Sequence, residues 1–288
     1  MTYELLIGDR SYSSWSLRGW LCFAAFDLPV KTHATILYTD HFHKDVAAFG
    51  GVTTVPVVKT PEGGMLNDSL AIAWHLADQF ADQGLLPADP VDRAHAMSIM
   101  AEMHSGFMAV RGACPMNLRT AWAGFRPDAT VLADLTRIEA IWAGALAGSG
   151  GPFLFGDYTL ADAFYAPVAA RIAGYGLPVS DAAKAYVQAH LTHGPFRRWR
   201  AMGFAHGPEQ GTYEMGLPRA PFPAPKPIPA RAVPSGPSLN ATCPYSDKPV
   251  THFADIGGRV FGFCNAFCRD KTVADPEAWP DFMAIYDS

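Results

Sequence analysis

The sequence predicts a protein of mixed class, with a small α/β domain followed by an all-helical domain and a short C-terminal module held by a metal ion. Three observations predict it. Apolar strand-like runs alternate with helix-like ones over the first 82 residues, and strand patterns then vanish up to about residue 203. Past a proline-dense stretch, the last 46 residues hold three of the five cysteines, Cys243, Cys264 and Cys268.

Residues 3–8 form an apolar strand closed by Gly8; a polar loop follows over 9–13, and residues 14–26 repeat their apolar positions at helical spacing. Strands are expected at 30–37 and 55–59. Glu62-Gly63-Gly64 is a turn signal, residues 65–67 return as a strand, and 69–80 read as a helix. The order β-α-β then β-β-α describes a small sandwich over residues 1–82.

Residues 94–111, 130–147, 160–175 and 181–191 repeat apolar side chains every three to four positions, which describes a helical bundle over residues 90–205. Thr159-Leu160-Ala161-Asp162 is a capping box that opens one of these helices. Between positions 218 and 237 eight of twenty residues are proline, a composition that excludes helix and central strand and favours a stiff, extended chain. Residues 206–240 are therefore expected to be a linker lying along the surface, and residues 241–288 the tail module.

Composition narrows the function. Hydrophobic residues make up 49% and charged ones 17% of the chain, enough apolar side chains for a well-formed core. The formal charge of -5 comes without a basic run, so neither nucleic acid nor an anionic membrane is expected as a partner. Glu4, Asp9 and Arg10 interrupt the start of the chain before any stretch of signal-peptide length, and no run reaches transmembrane length. A cytoplasmic location is expected. Cys22 and Cys114, in apolar surroundings, read as core residues.

A hydroxyl at the start of the first helix could stabilise a thiolate, because the unpaired N–H groups and positive dipole end of a helix lower the pKa of a nearby thiol. Ser13 is the first candidate and Ser14 the second; capping of the helix is the structural role that competes. Around residues 3–205 the chain resembles the soluble glutathione transferases, specifically serine-type, zeta-like bacterial members. The resemblance rests on Ser13-Ser14-Trp15-Ser16-Leu17-Arg18, Val55-Pro56, Asp68-Ser69 and the Gly156–Asp162 segment with its capping box. It implies a thioredoxin-like domain, a helical domain, a homodimer, and detoxification chemistry on small electrophiles. It also implies that Trp15, Val55, a cis Pro56, Asp68 and Ser69 hold glutathione, the last two at its γ-glutamyl end. The family more often has Glu where this chain has Asp68.

His104, Phe107, Arg111 and Met116, together with Met103 and Asn117, fall where the family places its electrophile pocket. His41, His43 and Lys44 fall in the loop that contacts the glycine carboxylate of glutathione in some members. Trp15 stands where one subclass has cysteine, which argues against cysteine-based redox or isomerase chemistry at that position. Peroxide reduction or isomerisation through the glutathione thiolate is a third possibility, and a non-catalytic binding or metal-handling adaptor is the main rival.

In the tail, the C-x20-C-x3-C spacing with aromatic neighbours resembles metal-binding modules of the TRASH and YHS type. Cysteines four apart share one face of a helical turn, so three thiolates can converge on Zn²⁺, with His252 or Asp255 as the fourth ligand.

Overall fold

The computed structural model describes residues 2–50 and 53–288. Strand β1 (Tyr3–Ile7) leads into α1 (Ser14–Ala24), β2 (Val30–Ala34), α2 (Asp40–Gly50), β3 (Val57–Lys59), β4 (Met65–Leu66) and α3 (Ser69–Gln79). The four strands form one sheet in the order β2-β1-β3-β4. Strand β1 runs parallel to β2, Tyr3 opposite Val30, and antiparallel to β3, Leu5 opposite Val58. This is the thioredoxin-like arrangement. Leu5, Ile7, Val57 and Val58 are fully buried, as expected of central strands covered on both faces.

The segment carrying His41, His43 and Lys44 is a helix, α2, rather than a loop. Phe42, Val46 and Phe49, at positions i, i+4 and i+7, form its inward stripe, with Val46 buried in a cluster with Leu6 and Val57.

Helices α4 (Pro90–Ser105) and α5 (Met108–Ala113) come next, followed by a short strand β5 (Ala121–Trp122), then α6 (Ala129–Leu146), α7 (Leu160–Tyr175) and α8 (Asp181–Thr192). All residues of α7 except Ala173 are buried, including Arg171, which makes it the axis of this domain, packed against α1 and α4. Its capping box is formed as expected. The Asp162 carboxylate accepts from Thr159 N at 2.8 Å and from Tyr186 Oη at 2.9 Å.

The remaining elements are α9 (Gly194–Ala205), β6 (Arg219–Ala220), β7 (Ala230–Val233), β8 (His252–Ile256), β9 (Arg259–Phe263), α10 (Ala266–Ala274) and α11 (Pro280–Tyr286). The chain forms two compact units, and their limits differ from the expected domain limits. The first runs to Leu191 and includes Gln210–Pro223; the second joins Thr192–Glu209 to Ala224–Ser288.

Two physical reasons account for the difference. A module of about 45 residues cannot close a core unaided. Helix α9 enlarges it: Ala201 is buried with Ile256, Phe261, Phe263 and Phe282, and Arg197 pairs with Asp275 at 2.6 Å. The proline-dense stretch is also not a free spacer. Its first part pairs β6 with β5 and lays Phe222 over Gly174 of α7; its proline-poor part is β7, the edge strand of a sheet ordered β7-β8-β9. Proline is compatible with edge strands because the outward N–H needs no partner. No helix among the described residues is long and apolar enough to cross a membrane.

Candidate functional site

Helix α1 starts in the wall of a cavity of about 530 Å³ in the first unit, a wall that includes Tyr12, Ser13, Ser14, Trp15, Val55, Arg111, Met116 and Arg171. The two serines have different duties there. Ser13 is the N-cap: its Oγ accepts from Ser16 N at 3.2 Å and donates to Ser16 Oγ at 2.8 Å, so the hydroxyl is spent on the helix. Ser14, the first residue of the helix, accepts from Arg171 Nη2 at 3.3 Å. Its own hydroxyl proton has no partner among the described residues.

Arg171 is held by three acceptors, Cys114 O at 2.8 Å, Pro167 O at 3.1 Å and Ser14 Oγ. Burial pushes its guanidinium down to about 10, with Arg111 adding to the effect, and it stays charged at neutral pH. Arg18 is also buried and is pushed down to about 9, by burial first and by Arg111 and Arg171 next, while Asp68 opposes the shift. The guanidinium carbons of Arg18 and Arg111 lie 4.0 and 4.9 Å from the Trp15 ring centroid, and the His104 ring meets Trp15 edge-on at 5.2 Å. The floor of the cavity is therefore electropositive.

A second cavity of about 320 Å³ shares Trp15, Thr54 and Val55 with the first and adds Pro56, Asn67, Asp68 and Ser69. The Val55-Pro56 peptide is cis. Among the described residues, neither backbone polar group of Val55 is hydrogen-bonded. Asp68 caps α3 through Oδ1, at 2.7 Å from Leu70 N, which leaves Oδ2 facing His104 Nε2 at 3.6 Å. Burial lowers the pKa of His104 and Asp68 opposes the shift. Ser69 Oγ is buried with no hydrogen-bond partner among the described residues, a cost a folded chain accepts where a ligand completes the bond.

Trp15, Val55, Pro56, Asp68 and Ser69 thus come together, and their open groups suit a γ-glutamyl peptide with a carboxylate, an ammonium and an extended backbone. Arg111 and Met116 line the larger cavity, while His104 sits behind Trp15. Phe107 is in neither wall: it is buried at the head of α5 with a left-handed φ of 57°. Tyr38, Arg171, Thr212 and Tyr213 also line the larger cavity and were not expected. Arg171 carried a signal, as the one basic residue in an otherwise apolar helical run; Tyr213 carried none, lying in the supposed linker.

In the second unit the three cysteine sulfurs lie within 4.8 Å of one another, with Cys264 Sγ and Cys268 Sγ 3.9 Å apart. An edge of about 3.8 Å is what tetrahedral Zn–S bonds of about 2.3 Å require. Cys264 precedes the helix and Cys268 lies in its first turn, with Asn265 as N-cap between them, so the pair does not share one helical face as the spacing suggested. Ser246 Oγ and Asn265 Nδ2 donate to Cys264 Sγ at 3.3 and 3.2 Å, outer contacts of the kind that orient a metal-bound sulfur.

Neither candidate fourth ligand joins the cluster among the described residues. Asp255 is paired with Arg231 at 3.1 Å, and His252 Nδ1 is bonded to Thr251 Oγ1 at 2.9 Å.

Comparison with known proteins bears on the first unit. Residues 12–79 match the family model "Glutathione S-transferase, N-terminal domain". A probable maleylacetoacetate isomerase of Caenorhabditis elegans is 27% identical over 164 residues, 55% of this chain and 73% of the relative. A Burkholderia glutathione transferase homolog, solved with bound glutathione, superposes with a TM-score of 0.54 at 19% identity, over 70% of this chain and 98% of that one. A maleylacetoacetate isomerase of Anaeromyxobacter dehalogenans with glutathione in its active site gives 0.50 at 23% identity, over 69% and 94%. The architecture, a thioredoxin-like domain followed by helices, is the glutathione transferase fold.

Proposed function

We propose that the protein is a glutathione transferase that activates the glutathione thiol at the start of α1 and directs it at a small electrophile bearing an acidic or carbonyl oxygen. The observation that carries this reading is the division of labour between the two serines. Ser13 is consumed in capping, whereas Ser14 keeps a free proton because a buried guanidinium fills its lone pair.

Glutathione, when bound, supplies the sulfur nucleophile. Ser14 donates a hydrogen bond to that sulfur, and the start of α1 with the charge of Arg171 favours its ionised form at neutral pH. Asp68 Oδ2 takes the ammonium of the γ-glutamyl end, Ser69 Oγ its carboxylate, and Val55 the peptide backbone. Arg111 and Arg171 draw an anionic or carbonyl-bearing substrate to the open side.

Two reactions use this arrangement, net addition of glutathione and addition followed by elimination that isomerises a double bond. The second is favoured by the likeness to maleylacetoacetate isomerases and by the paired arginines. Trp15 in place of a cysteine does not oppose it, since the sulfur comes from glutathione. In the tail, Cys243, Cys264 and Cys268 would hold Zn²⁺, which supplies cross-linking of a small core, as in TRASH- or YHS-type modules.

Full-length protein retained on immobilised glutathione and active on a panel of electrophiles, including a cis-enedioate, supports the enzyme. Retention without turnover of any of them would favour the adaptor.

A further inference from the structure

Gln210 to Tyr213 follow α9 in sequence but belong to the first unit, where they close one wall of its larger cavity. The turn is fastened at several points. Gln210 N donates to Tyr12 Oη at 3.1 Å, and Gln210 Nε2 reaches Leu37 O at 3.4 Å. The Tyr213 ring stacks on Tyr12 with centroids 4.6 Å apart and planes 27° from parallel, and its hydroxyl lies 3.3 Å from Tyr38 Oη. Tyr38 itself is exposed and has a φ of 61°, a conformation unfavourable for a bulky side chain that persists where the surroundings fix it.

We infer that Tyr213 is a specificity-determining residue of the electrophile site, donating a hydrogen bond from its phenol to the carbonyl oxygen of the acceptor while Tyr38 donates to Tyr213. The inference rests on the transferase reading above. Burial raises the pKa of Tyr213, so the phenol stays protonated wherever a thiolate is available. For an α,β-unsaturated carbonyl acceptor the step balances as follows. The S–C bond forms at the β-carbon, the π pair moves onto the carbonyl oxygen facing Tyr213, and the proton released by the thiol returns through water to the α-carbon. An acceptor without an oxygen next to its reacting carbon gains nothing from the phenol.

The test compares full-length wild type with Tyr213→Phe and Tyr38→Phe on two acceptors, a 2-alkenal and a 1-iodoalkane. Tyr213→Phe keeps the ring and its stack on Tyr12, so the wall stays in place. Expected is a loss of about tenfold or more in kcat/KM for the alkenal, a change within about twofold for the iodoalkane, an unaltered KM for glutathione, and a smaller alkenal loss in Tyr38→Phe. Equal losses on both acceptors, or none on either, would overturn the role of Tyr213 while leaving the transferase standing. A wild type that neither binds glutathione nor turns over either acceptor would overturn both readings.

Discussion

The two candidate sites are built on one device and gather groups suited to guests of opposite charge. At each, a strand ends, a polar residue caps a helix, and the reactive groups sit around the cap: Ser13 and Ser14 at α1, Asn265 with Cys264 and Cys268 at α10. Around α1 the neighbours are cations, Arg18, Arg111 and Arg171, and the protein contributes only oxygen and nitrogen donors. Around α10 it contributes the sulfurs itself. A helix start with cationic neighbours suits an anionic sulfur, whereas three sulfurs at such a start suit a soft metal cation. The helix terminus does not decide what binds; the atoms gathered around it do.

The sharpest way to break this comparison is to remove a sulfur. Purified protein is expected to carry about one zinc per chain, and Cys264→Ser to lose nearly all of it, since structural zinc contributes about 10 kcal/mol or more to small modules. Metal analysis after purification without chelator checks this, and metal-free wild type with three freely reactive tail thiols would remove the cation from the argument.

Next in size is the serine pair. Ser14→Ala should lower kcat about 10²- to 10³-fold with the Kd for glutathione almost unchanged, as loss of one donor to a developing anion does. Ser13→Ala should mainly cost about 1 kcal/mol of stability, read as a lowered Tm. Reversed outcomes would return thiol activation to Ser13.

Arg197→Ala tests whether α9 belongs energetically to the tail. Its pair with Asp275 is mostly buried, with side-chain exposures of 16% and 9%. Breaking it should cost about 3 kcal/mol, lowering the Tm of the second unit, and a change below about 0.5 kcal/mol would make α9 a neighbour rather than a member of that core.

The smallest effect is expected from Asp68→Asn, which keeps an oxygen to cap α3 but removes the charge that holds an ammonium. The KM for glutathione should rise about tenfold with kcat nearly constant, because this end of the ligand is held alike in ground and transition states. A collapse of kcat at constant KM would assign Asp68 to the chemistry instead.

What the sequence made legible was local. The serine run, Val55-Pro56, Asp68-Ser69 and the three cysteines are each read from a few adjacent residues or a fixed spacing; the structure brings the first three around adjoining cavities and the cysteines into a cluster of their own. Arg171 meets Ser14 across 157 residues, and Tyr213 meets Tyr38 across 175. No periodicity announces such pairs. Helix α2 was legible too, in Phe42, Val46 and Phe49 at i, i+4 and i+7; the family resemblance, which puts a loop there, was the wrong guide. The transfer of α9 to the tail was hidden because its apolar face, Phe196, Trp199 and Ala201, is equally suited to either core.

The threading of residues 192–223 also sets the order in which the molecule can be finished. As the chain leaves the ribosome, everything up to α8 emerges first, yet β5 waits for β6, and the cavity wall waits for Tyr213. Between them comes α9, whose partner α10 is still unmade. The nascent first unit must therefore hold an amphipathic helix in reserve while it completes its own active face, and a chain stalled at that stage would expose Phe196 and Trp199 to whatever apolar surface it meets.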